Sequence, residues 1–142
     1  MDEYVRKLSL GMKLHKVGGT VIHHQAILIR YLRTVHKLEC ELVEGYIMTG
    51  DNETCWHCWV EVGEQKYDIA WLIAGLPDTR NSLVREIPEG YERMDLKDER
   101  GRYVVDENMR LFQLFNTDEK KFWEEAPVAV KKFRYSKYGW KA

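Results

Sequence analysis

The chain has 142 residues, 44% of them apolar and 32% charged, with a formal net charge of −1. These values fit one ordered domain, and the interleaved charges argue against a phosphate-backbone partner. The apolar runs, such as Ala26-Ile27-Leu28-Ile29, are far too short to cross a bilayer; Met1-Asp2-Glu3-Tyr4 does not read as a signal peptide; and three irregularly spaced cysteines do not make a disulfide framework, so a cytoplasmic protein with reduced thiols is expected.

The periodicity predicts a short helix over residues 2–14, with Tyr4, Val5, Leu8 and Met12 as its apolar positions. Gly18-Gly19 ends it, and Thr20 is placed to cap a second helix over residues 21–35. The stripe of Ile22, Ala26, Ile29 and Arg33, widened by Val21, Leu28, Leu32 and Val35, marks that helix as mostly enclosed. Strands follow over 38–48 and 54–62, with a turn near Asp51-Asn52. Gly63-Glu64 then turns into a return strand over 66–71. Residues 76–87 read as loop with one helical turn. Residues 89–94 and 102–105 are expected to pair across Glu99-Arg100-Gly101. Helices are expected over 106–115, capped by Asp106, and over 118–125, capped by Thr117 and ended by Pro127. This order gives one α+β domain, residues 1–142, with an antiparallel sheet.

The hairpin carries the chemistry. Side chains alternate along a strand, so Cys55, His57, Trp59 and Glu61 share one face, and Trp56, Cys58, Val60 and Val62 share the other. The second set suits the core, where Cys58 serves as a small apolar residue. Asp68, on the return strand, is placed to accept a hydrogen bond from one nitrogen of His57. That bond would fix the tautomer and leave the other nitrogen as a base.

Leu42-Val43-Glu44-Gly45-Tyr46, then His57-Cys58-Trp59-Val60-Glu61-Val62, then Tyr67-Asp68, all behind a helix carrying Leu32-Arg33, resemble the transglutaminase-like branch of the papain-like thiol enzymes. The resemblance covers residues 17–71 and implies a buried helix packed on an antiparallel sheet, with 76–142 adding strands and further helices. It also implies a cysteine at the helix N-terminus, about twelve residues before the Leu-Arg pair. Counting back from Arg33 lands on Val21, with Thr20 and Ile22 beside it, and none is a cysteine. The family needs a thiol there because the helix end lowers its pKa and the facing imidazole takes its proton.

Three readings follow from the missing thiol. In the first, the cleft persists without catalysis. His57 and Asp68 remain as a pair, and Thr20, His23, His24, Tyr46 and Trp59 line a site for a peptide, an amide-like small molecule or a protein partner. In the second, Cys55 replaces the nucleophile in thiol-dependent acyl transfer or peptide hydrolysis with His57 and Asp68. Same-face neighbours on a strand are about 7 Å apart, so a twist or bulge would have to bring Cys55 to His57. In the third, Cys55, His57, Cys58 and the adjacent His23-His24 hold a metal. Strand alternation and helix geometry send these ligands apart, so no metal or other cofactor is expected. Phe112, Phe115, Phe122 and Trp123 are expected in the core. The basic, aromatic segment around Lys131, Phe133, Arg134, Tyr135 and Trp140 is expected to dock on its own domain or a partner subunit rather than bind nucleic acid.

Overall fold

A computed structural model describes residues 2–75, 80–94, 104–136 and 139–141. The chain opens with helix α1, Asp2–Leu14, and helix α2, Val21–Val35. On α1, Val5, Leu8 and Met12 point inward as expected. Tyr4 instead stays 45% exposed and stacks edge-on with His36, ring centres 4.6 Å apart. Helix α2 is the centre of the domain. Ile22, Ala26, Leu28, Ile29 and Leu32 are completely buried, which is why this helix is apolar on most sides.

Strands β1, Glu41–Gly50, and β2, Glu53–Val62, form a long antiparallel hairpin. Strand β1 begins three residues later than the sequence suggested. The return strand β3 is only Gln65–Tyr67, not residues 66–71. Asp68 ends it by becoming the N-cap of a short helix, α3, Ile69–Ile73, where its carboxylate accepts from the backbone N–H of Trp71. A 3-10 turn, Arg80–Ser82, leads into β4, Leu83–Val84, which pairs with β1. Strand β5, Glu92–Arg93, pairs in parallel with the first residues of β2. The sheet order is therefore β3-β2-β1-β4, with β5 also against β2.

The expected pairing of 89–94 with 102–105 is corrected in part. Val104 and Val105 belong to helix α4, Val104–Thr117, so Asp106 lies inside its first turn and is not its cap. The expected turn Glu99-Arg100-Gly101 and the first two residues of the expected partner strand, 102 and 103, lie outside the described residues. Helix α5, Glu119–Glu125, is capped by Asp118 rather than Thr117: its carboxylate accepts from the N–H of Lys121 at 3.1 Å. Helix α6, Val128–Lys132, and a hairpin of β6, Arg134–Ser136, with β7, Gly139–Lys141, follow. Phe133 is 1% exposed and anchors this segment. The expected docking of Trp140 concerns a side chain outside the described residues.

Both faces of the central hairpin are covered. One packs Trp56, Cys58 and Val60 against α1, α2, Leu111, Phe115 and Phe122. The other forms a smaller cluster of Val43, Ile47, Cys55, Trp59 and Leu83, with Trp71 against it. The alternation read from the sequence holds, but its second face is enclosed too. Gly45 makes that closure possible. It pairs with His57 across the hairpin, and a Cβ there would strike the Trp59 ring and the Val84 carbonyl oxygen.

Candidate functional site

Strand β2 has one edge on β1. Its other edge is shared, with β5 at Glu53 and Thr54 and β3 from Val60 onward. Between those pairings the edge is met by side chains, and there His57 and Asp68 come together. His57 Nε2 lies 2.6 Å from Asp68 Oδ2, and the two side chains are 7% and 5% exposed. The sequence expectation of this pair is met. The residue it missed is Gln25. Its amide nitrogen donates to Asp68 Oδ1 at 2.7 Å and to the Cys58 carbonyl at 3.2 Å, while its oxygen accepts from Ile69 N–H at 3.3 Å. Gln25 is fully buried on α2. Its signal was a lone amide beside Ile22, Ala26 and Ile29 on an apolar helix, a place where a polar group must find partners.

The carboxylate of Asp68 thus receives Gln25, the Trp71 backbone and His57. A group accepting on both oxygens is suited to the ionised form. The imidazole nitrogen bonded to it is then the donor, and Nδ1 is the ring's other nitrogen. Trp71 stands over His57 with ring centres 5.6 Å apart and planes at 66°. Its indole Nε1 is buried and has no acceptor among the described residues.

The other expected site residues are distributed elsewhere. His23 lies about 200° around α2 from Gln25 and so faces the opposite way. It accepts from the backbone N–H of Thr20 at 2.9 Å, lies 3.1 Å from the Thr20 hydroxyl, and packs 5.6 Å from Phe122. His24 pairs with the Gly18 carbonyl at 2.7 Å. Burial, followed for His23 by the neighbouring His24, holds both imidazoles below their ordinary range. Tyr46 pairs with Trp56 across the hairpin and so shares the face opposite His57. Trp59 is on the His57 face but wholly buried, and its indole donates to Glu61 at 3.0 Å.

Cys55 is 8% exposed within the smaller cluster, and burial pushes its thiol up. Burial also raises Cys40, and it raises Cys58 well above the ordinary thiol range, with Asp68 and Glu44 adding to it. Neither hairpin cysteine has the depressed pKa of an activated nucleophile. Among the described residues no three His, Cys, Asp or Glu side chains converge as metal ligands do. An open groove of about 600 Å³ lies near the far end of α2, lined by Arg33, Lys37, Leu38, Glu39 and Cys40. Arg33 is eight residues beyond Gln25, about 12 Å along the helix, so this groove is separate from the His57 pair.

Compared with protein-family models, curated proteins and solved structures, the chain matches none. No helix among the described residues is long and apolar enough to cross a membrane.

Proposed function

We propose that this chain is a transglutaminase-like, papain-like domain that has kept the His–Asp pair without its nucleophile and works by binding a peptide or amide-like ligand, or a protein partner. The observation that carries the reading is the buried contact of His57 and Asp68, held by Gln25 from the central helix. In that arrangement the helix position expected to bear a thiol is occupied by Thr20, Val21 and Ile22, and Ile22 is fully buried. The pair orients an imidazole but has no activated group to deprotonate.

The alternative, acyl transfer or peptide hydrolysis through Cys55, draws on the position of Cys55 in the cluster that Trp71 packs against. The raised Cys55 thiol counts against it. Alkylation by iodoacetamide across a pH series separates the two. The binding reading expects all three cysteines to react slowly near neutral pH, and Cys55→Ala to change no amide or ester turnover. Rapid, selective alkylation of Cys55 at neutral pH, abolished in His57→Ala, would establish the thiol reading instead.

A further inference from the structure

Two adjacent histidines hold the turn that leads into α2, and they do so in opposite hydrogen-bond roles. His23, in the first turn of the helix, accepts the backbone N–H of Thr20 on Nδ1 at 2.9 Å. That nitrogen is therefore unprotonated, and the neutral ring carries its proton on Nε2. A glutamate or glutamine usually fills this position and reaches back to the N-cap in the same way. His24 meets the Gly18 carbonyl through Nε2 at 2.7 Å. A carbonyl only accepts, so here the imidazole is the donor.

A proton separates the two. Protonated imidazole donates from both nitrogens. His24 keeps its bond to Gly18 in either state. His23 loses its bond, since an N–H on Nδ1 would face the N–H of Thr20. The ring has little room to turn in place. A Cβ added at Gly19 would stand 3.0 Å from Nδ1, so the ring lies against the Gly19 backbone, and Phe122 covers it with ring centres 5.6 Å apart. The backbone is the part free to give: Gly18 and Gly19 have φ of +66° and +89°, and glycine takes up other conformations at little steric cost. Among the described residues, the charged groups facing His23 are Glu107 and Arg110 of α4, and the titratable neighbour on its own helix is His24. Glu107 and Arg110 pair with each other at 2.7 Å and act on His23 in opposite senses. The neighbours from α5 and α6 are apolar, Phe122 and, beyond Gly19, Val130.

We propose that His23 is a proton-operated latch on the amino end of α2: when protonated it releases the Thr20 N–H, and the chain opens at Gly19-Thr20 while His24 keeps Gly18 in place. The opening is local, because Ile22, Ala26 and Leu28 stay packed in the core. It does not depend on what the domain binds.

The test follows amide hydrogen exchange and the histidine ring nitrogens by NMR on the full chain, from about pH 8 down to about pH 4.5. Exchange is corrected for its intrinsic pH dependence. Protection of the Thr20 amide is expected to fall about three- to tenfold, the worth of one capping bond, at the midpoint of the His23 titration. Leu28, in the middle of α2, should keep its protection over that step. In His23→Gln the side chain still accepts but does not titrate, so the step should disappear. In His24→Gln an amide still donates to Gly18, and the step should remain. A flat Thr20 profile in the parent, or a step that persists in His23→Gln, would overturn the latch. Loss of Leu28 protection in parallel with Thr20 would show loss of the whole fold rather than a local opening, and would overturn it too. The ring-nitrogen shifts of the unaltered chain give a test that needs no variant: a neutral His23 with its proton on Nδ1 would remove the acceptor on which the latch depends.

Discussion

Gln25 and Asp68 are 43 residues apart in sequence, yet the amide nitrogen of one lies 2.7 Å from the carboxylate of the other. This bond joins the central helix to the edge of the sheet and sets the direction of the carboxylate toward His57. Gln25→Ala is expected to leave the Asp68 oxygen, the Cys58 carbonyl and the Ile69 N–H each short of a partner. A loss of about 2–4 kcal/mol in urea denaturation is expected. Gln25→Glu should be worse near neutral pH, because the introduced carboxylate faces Asp68. Like charge raises a carboxyl pKa in the folded state, so that variant should regain stability as the pH falls. Equal stability of Gln25→Leu and the parent would refute the brace.

Removing one member of the His57–Asp68 pair should cost about 1.5–3 kcal/mol, the range for a buried hydrogen bond to a charged group. Asp68→Ala also deletes the cap of α3, so its cost should exceed that of His57→Gln. Denaturant midpoints of the two variants check the order. A shift within experimental error for Asp68→Ala would show that the pair is not holding the sheet edge.

Gly45→Ala puts a methyl group where the Trp59 ring and the Val84 backbone already sit. Overpacking of this kind usually costs about 1–3 kcal/mol, and backbone gives way less readily than a flexible side chain. The Tyr46–Val84 pairing of β1 with β4 should open first. Faster hydrogen exchange at those two residues, with the β1–β2 ladder still protected, is the expected signature.

The lowered imidazoles of His23 and His24 tie stability to pH. Burial is the first cause in both, and it favours the neutral ring. The unfolded chain therefore binds more protons than the folded one as the pH falls below the ordinary histidine value of 6.5. Their stabilising contribution is complete above that value and declines below it, before most carboxylates titrate near ~4. His23→Gln keeps an acceptor for the Thr20 N–H and removes one titration. It should flatten the decline, read as thermal midpoints over the same interval; an unchanged slope would count against this account.

The two long helices at the start and the β1–β2 hairpin were legible because their periods are long and their breaks clear: Gly18-Gly19 before α2, Asp51-Asn52 between strands. The His57–Asp68 contact was legible for the same reason, since alternation and a short turn leave few alternatives. What followed Tyr67 was not. Asp68-Ile69-Ala70-Trp71 alternates enough to pass for a strand, yet Asp68 is also a good N-cap, and burial of Ile69 and Ala70 decides for the helix. The start of α4 was hidden similarly, because Val104-Val105 are β-branched and locally favour a strand. Gln25, Trp71 and the enclosure of the second sheet face depend on partners far away in sequence. Pattern alone does not bring Leu83 over Trp59, or Gln25 to Asp68.

Arg30 makes one more long connection, from α2 to the carbonyls of Val130 and Phe133, 100 and 103 residues downstream. Its guanidinium also lies 4.1 Å from the centre of the Trp123 ring. Since translation proceeds from the amino end, the ribosome has already released the hairpin when those acceptors are made. Until then the arginine has water in their place, and the helix it belongs to has one flank uncovered. The nascent domain is therefore completed from its last-made segment, and interruptions of synthesis before Phe133 would leave a chain that has its central pair but not its closing seam.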